Sequence, residues 1–257
     1  MIMMLSTLQR VLPLRHPTAV LAYRLPAGVR RPEGGSTGTL RSDVGLGSVS
    51  PAAGQPMIAI VDYGMGNLRS VSKALESLGA AVSVTSDPAV IGRAKKLILP
   101  GVGASPAAMR ELAARQLVAP ITSAIQAGKP YLGICLGLQL LFDFSEEGQG
   151  APGLGVLRGR VKRFAGSSLK IPHMGWNQVR ASAKACPVLD GIPEESFFYF
   201  VHSYYAAPDD RAIVALETDY GGRFASMVWR DNLFATQFHP EKSQTLGLRL
   251  LSNFVKL

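Results

Sequence analysis

The sequence predicts a three-layer α/β fold: a mostly parallel central sheet flanked by helices, with a nucleophile elbow and a strand-rich second half. Three observations predict it. Short apolar runs alternate with helix-period segments from residue 57 to 144, as strands buried on both faces and their crossovers do. One run ends in Gly133-Ile134-Cys135-Leu136-Gly137, with small residues around a cysteine. Beyond residue 197, β-rich runs are punctuated by Gly221-Gly222 and Asp231-Asn232.

Taken in order, Ile58–Asp62 is a nearly continuous apolar strand, followed by the turn Tyr63-Gly64-Met65-Gly66-Asn67. Leu68, Val71, Leu75 and Leu78 recur at helical spacing, and Gly79 stops the helix. Ala81–Thr85 and Lys96–Leu99 read as the second and third strands, the latter closed by Pro100-Gly101-Val102-Gly103. Helical patterning fills Pro106–Gly128. Tyr131–Ile134 is a strand running straight into Cys135 and a helix over Leu136–Phe144. Phe197–Val201, Ile213–Thr218, Phe224–Trp229 and Leu233–Gln237 read as strands, and Gln244–Val255 as the closing helix.

Residues 1–56 differ from all of this. They are rich in Arg, Pro, Gly and Ser, lack Lys, and show no sustained period, so they read as a disordered extension ahead of a domain over 57–257. A transit peptide and a genuine tail are alternatives to a working start at Met57, the reading favoured by the strand that begins at Ile58. The net charge of +9 includes +4 from this segment, and the rest forms no dense stripe, so nucleic acid is not an expected partner. No run approaches the roughly 18 apolar residues of a membrane span. The two cysteines, Cys135 and Cys186, exclude a disulfide framework and a cysteine zinc site. The expected setting is a reducing cytosol, or a plastid if residues 1–56 are a transit peptide.

Three motifs carry chemistry. In Gly133–Gly137 the nucleophile sits on a tight strand-to-helix turn, which exposes its sulfur and sets it at a helix N-terminus that favours thiolate. In Gln237-Phe238-His239-Pro240-Glu241-Lys242, a base and an orienting carboxylate follow a strand, so Cys135, His239 and Glu241 supply nucleophile, base and orienter. Acyl transfer also needs backbone donors for the oxyanion. Leu136 N–H is one, and the Gly101-Val102 turn supplies the other. Gly101 tolerates positive φ, which lets the Gly101–Val102 peptide rotate. Gly64-Met65-Gly66 opens like a dinucleotide fingerprint, but Arg69 stands where its third glycine belongs. No cofactor and no metal are expected.

Together and in this order, the motifs resemble the triad-type glutamine amidotransferases over essentially all of 57–257. The match is nearest to the glutaminase subunits of imidazole glycerol phosphate synthase. It is carried by Asp62–Asn67, Pro100–Gly103, Ile171-Pro172-His173-Met174-Gly175-Trp176-Asn177, Val201–Tyr204 and His239–Ser243. Related glutaminases usually have a second glycine where Val102 stands. The resemblance implies release of ammonia from glutamine and its delivery to a (β/α)₈-barrel cyclase as a heterodimer, making imidazole glycerol phosphate and an aminoimidazole carboxamide ribotide. It implies that Gly103, Gln139, Glu147, Ser203 and Tyr204 hold the substrate, and that Asn67, Ser70, Trp176, Tyr199 and Lys242 face the partner. Taken without it, Gln139 and Glu147 read equally as a polar helix position and a surface charge, and Trp176 as a packed aromatic. A glutaminase of another synthase, such as one making pyridoxal phosphate, and a catalytically silent scaffold are the alternatives.

Overall fold

The structure, a computed structural model, describes residues 58–166, 169–182 and 185–257. The reading of residues 1–56 as an extension lies outside the described residues. In chain order the elements are β1 (Ile58–Val61), α1 (Leu68–Ser77), β2 (Val82–Thr85), α2 (Pro88–Arg93), β3 (Lys96–Gly101), α3 (Ser105–Ala114), α4 (Val118–Gln126), β4 (Tyr131–Cys135) and α5 (Leu136–Gln139). Then follow β5 (Phe142–Ser145), β6 (Ala151–Pro152), β7 (Leu157–Arg163), β8 (His173–Gln178), β9 (Arg180–Ala181), β10 (Phe197–His202), β11 (Tyr204–Pro208), β12 (Val214–Asp219), β13 (Arg223–Arg230), β14 (Leu233–Thr236) and α6 (Gln244–Lys256).

The main sheet runs β2-β1-β3-β4-β14-β13-β11-β7-β5-β6, with β12 on β13 and β9 beyond it. Its first five strands are all parallel. They are four- to six-residue runs, and β1, β3, β4 and β14 are buried along their whole length because helices cover both faces. On one face, Ala59, Val61, Leu97 and Leu99 pack with Ile91 of α2, Leu112 of α3 and Ile121 of α4. On the other, Ile58, Ile60, Ile98 and Leu132 pack with Val71 and Leu75 of α1 and Leu250 and Phe254 of α6. Lys96 donates to the carbonyls of Phe254 and Val255, closing the C-terminus of α6 with a cation.

Beyond β14 the sheet is mainly antiparallel, and a separate β8–β10 ribbon packs its inner residues, Phe198 and Phe200, into the second core. Two expected helices differ from the sequence reading. The 106–128 pattern breaks into α3 and α4 because Gln116 adopts φ 57°, turning the chain so that Leu117 enters the core. The helix expected over Leu136–Phe144 is a single turn ending at Gln139. Its next carbonyls are taken from outside: Leu154 N–H donates to Leu140, and Val156 and Leu157 N–H donate to Leu141. Phe142 then pairs with Leu157 in the sheet. The all-apolar run Leu140–Phe142 is compatible with either structure, and the tertiary partners choose the strand.

Candidate active site

β4 delivers Cys135 at the carboxyl edge of the parallel half, with φ 55° and ψ −104°. That strained conformation is held by close packing. A Cβ on Gly133 would stand 2.6 Å from the Gly137 carbonyl, and one on Gly137 would stand 1.8 Å from the Leu99 carbonyl. Glycine at both positions is thus imposed by space. The same holds at Gly101, where a Cβ would meet the Tyr63 hydroxyl at 2.3 Å and Leu136 at 2.8 Å. Gly103, not Gly101, is the left-handed residue of this loop, with φ 94°. Gly101 does not use the positive φ that glycine tolerates, and its glycine is explained by the crowding. The expected support of a thiolate by a helix N-terminus is also reduced, because α5 has four residues and a macrodipole needs aligned turns.

His239 follows β14 and is clamped by backbone: its N–H donates to the Tyr199 carbonyl, and its carbonyl accepts from Ser243 Oγ. Its Nδ1 lies 2.8 Å from Glu241 Oε1, both side chains being almost fully buried. His239 Nε2 is buried without a close hydrogen-bond partner, and the Cys135 side chain is near enough to act on the ring's charge. Burial acts against the imidazolium, but Cys135 and Glu241 outweigh it and raise the His239 pKa to about 10. The arrangement can hold a proton on His239 opposite an anionic sulfur and release it to a leaving group.

A cavity of about 320 Å³ opens at Cys135. Val102, Gly103 and Leu136 line one side, Gln139 and Glu147 another, and Ser203 and Tyr204 a third. The cavity wall therefore brings together Cys135 and all the residues expected at the oxyanion and the substrate except Gly101, while His239 and Glu241 stand outside its lining. Glu147 is more than surface charge, because its Oε2 accepts the Ser105 N–H at the start of α3, 2.6 Å away. On the neighbouring face Trp176 and Tyr199 are paired across the β8–β10 ribbon, with rings 6.2 Å apart, and Lys242 Nζ lies 5.8 Å from the Tyr199 ring. Met174 and Phe197 are exposed beside them. Asn67 and Ser70 stand at the start of α1, which packs against the 240–242 turn.

Sequence reasoning missed a chain of buried polar groups. Asn177 Nδ2 reaches His173 Nε2 at 3.2 Å, His173 Nδ1 reaches His202 Nε2 at 2.9 Å, and His202 Nδ1 reaches the Tyr204 carbonyl at 2.8 Å. A carbonyl only accepts, so His202 carries its proton on Nδ1, and the same follows for His173. Burial lowers the pKa of His173 to about 4 and that of His202 to about 3, at His202 outweighing the bond to the Tyr204 carbonyl, which pulls the other way. Both rings are neutral. The signal available in the sequence was the spacing of two histidines in β-rich runs, which identifies no partner.

An α/β fold with a cysteine on its elbow, and a histidine–glutamate pair at the neighbouring strand end, defines a triad-type cysteine-nucleophile enzyme. The model of the family "Glutamine amidotransferase class-I" matches residues 59–257. "Imidazole glycerol phosphate synthase subunit HisH" of Syntrophotalea carbinolica is 53% identical over 204 residues, covering 77% of this chain and 98% of that one. The subunit of the same name from Aromatoleum aromaticum is 55% identical over 208 residues, covering 77% and 97%. The chain belongs to the class-I glutamine amidotransferases and, within them, to the family of these HisH subunits. Among solved structures, "Structure of PurLQS from Thermotoga maritima" superposes with a TM-score of 0.62 at 22% identity, covering 78% of this chain and 98% of that one, which shows the shared fold.

Proposed function

We propose that this chain is the glutaminase subunit of a heterodimeric imidazole glycerol phosphate synthase in histidine biosynthesis, feeding ammonia to a (β/α)₈-barrel cyclase. The observation that carries the reading is the single cavity lined by Cys135, Gln139 and Glu147, together with the surface cluster of exposed Trp176, half-buried Tyr199 and exposed Lys242. The identity with HisH subunits supports the choice of partner.

The Cys135 sulfur attacks the side-chain amide carbon of glutamine. The N–H groups of Leu136 and Val102 receive the oxyanion. His239, held by Glu241, gives its proton to the departing ammonia. Water, activated by the now neutral His239, hydrolyses the thioester, freeing glutamate and the sulfur. Both amide N–H groups of Gln139 are already engaged, on the Tyr204 and Gln237 oxygens, so Gln139 meets the substrate through its Oε1 as an acceptor. Glu147 meets the α-ammonium, and the backbone of Gly103, Ser203 and Tyr204 meets the rest of the amino-acid end. Asn67, Ser70, Trp176, Tyr199 and Lys242 dock on the cyclase.

The test is synthesis by the chain mixed with a barrel cyclase, run with glutamine or with free ammonia. Cys135→Ala is expected to abolish the first and spare the second. Failure of the chain to bind a cyclase or to complement a histidine auxotroph, with glutaminase activity intact, would assign it to a different synthase. Partner binding is expected to raise glutaminase kcat by about a hundred- to a thousandfold, the worth of one oxyanion donor.

A further inference from the structure

We propose that Gln237 is a positioning residue that holds the sulfur of Cys135 and stabilises it as an anion through an amide N–H aimed at it. The inference rests on the reading of Cys135 as nucleophile. Gln237 is fully buried between β14 and His239. Its Nε2 lies 3.5 Å from Cys135 Sγ, and its Oε1 lies 3.0 Å from Gln139 Nε2.

The direction of these bonds is forced. The Tyr204 carbonyl can only accept, so the end of Gln139 that faces it, at 2.9 Å, is its NH₂ group. That same NH₂ faces Gln237, so Gln237 presents its oxygen to Gln139 and its own NH₂ to the sulfur. The two amides form a relay anchored on a group that cannot change its role, and a flipped Gln237 would set its NH₂ against the NH₂ of Gln139, donor against donor. The backbone N–H of Gln237 is bound to the Ser226 carbonyl at 2.8 Å, which fixes the root of the side chain.

A sulfur anion accepts such a bond strongly, whereas a neutral thiol accepts it weakly. The other close contact of the sulfur, the Val201 carbonyl at 3.9 Å, can only accept and so favours the thiol. The one-turn α5 supplies little field. Gln237 therefore works with His239 on the same atom: the imidazolium supplies charge, and the amide supplies a fixed donor that persists after His239 has given its proton away. The donor acts whenever the sulfur is anionic: before attack, and again when the thiolate leaves the tetrahedral intermediate of thioester hydrolysis, by which time His239 has taken a proton from the water.

The experiment measures the rate of Cys135 alkylation by iodoacetamide against pH in the full chain, with mass spectrometry separating Cys135 from Cys186. Gln237→Met keeps the volume and removes the donor, and Gln237→Glu keeps the shape and substitutes an acceptor. The expected result is an upward shift of the profile midpoint by about one pH unit in Gln237→Met, and more in Gln237→Glu. Glutaminase kcat in the presence of partner should fall about tenfold or more in both variants, with KM for glutamine within about twofold in Gln237→Glu, which keeps the oxygen that holds Gln139. Either folded variant giving an unshifted profile would overturn the proposal. In the unaltered chain, the Gln237 side-chain amide resonance should titrate with the alkylation midpoint, and a flat amide resonance would overturn it without any substitution. Absence of alkylation at Cys135 in the unaltered chain would instead undermine the reading of Cys135 as nucleophile.

Discussion

Two corners of the molecule bury histidines, and they drive them in opposite directions. His239 is buried beside a thiol and a carboxylate, and its pKa rises to about 10. His202 is buried among rings, an amide and a carbonyl, and its pKa falls to about 3. Burial alone pushes both down, since a low dielectric penalises the charged ring. The difference is the anionic partner. A neutral donor–acceptor chain makes the β8–β10 ribbon a rigid wall for the cavity, whereas Cys135 and Glu241 make the β14 end a place where a proton can be stored and moved.

The largest expected effect removes one of those partners. Cys135→Ala should cost at least about 10⁴-fold in glutamine hydrolysis, and His239 should lose much of its raised pKa, so its ring resonances should titrate well below pH 10. Unchanged His239 titration would show that Glu241 alone supports the charge. Next, Glu241→Gln keeps the shape and removes the carboxylate. It should lower kcat by about 10³- to 10⁴-fold with little change in KM, as read in steady-state glutaminase assays.

The neutral corner predicts a stability slope. His173 and His202 have folded pKa values below the unfolded 6.5, so stability is complete above about pH 6.5 and falls as the unfolded chain takes up protons first. The loss continues until the folded values of about 4 and 3 are passed. Between pH 7 and 5 it should be on the order of 2 kcal/mol per histidine, and urea unfolding of His202→Phe should show a shallower slope. His239 contributes with the opposite sign: its stabilisation is complete below pH 6.5 and is lost as pH rises through about 10. The smallest effect tests a buried hydroxyl behind the Cys135 corner. The Tyr63 hydroxyl is buried against Gly101 without a hydrogen bond, so Tyr63→Phe should leave the melting temperature unchanged or raise it, by under about 1 kcal/mol in stability.

Much of this was legible in the chain itself. Fully apolar four-residue runs, glycines around Cys135 and the His239-Pro240-Glu241 sequence are local patterns with local causes: burial on two faces, steric room at a turn, and acid–base chemistry within two residues. Where a residue's role depended on a distant partner, the sequence was silent or misleading. Leu140–Phe142 read as helix because nothing nearby shows that Leu154, Val156 and Leu157 will claim their backbone. Leu157–Arg163 has a clear buried–exposed alternation, yet it becomes a recognisable strand only beside its antiparallel partner β11.

The sequence by itself determined the α/β order and the elbow, and it singled out Cys135, His239 and Glu241 as the expected nucleophile, base and orienting carboxylate, because each stands in a short motif of fixed spacing. Only the tertiary structure decided that Gly101 is glycine for want of space, that Glu147 holds the start of α3, and that Gln237 turns an N–H toward the sulfur through Gln139 and the Tyr204 carbonyl. Those outcomes depend on groups 35 to 102 residues apart meeting within hydrogen-bond or van der Waals distance, and a hydrogen bond's direction is set by the partner it meets, not by the residue that makes it.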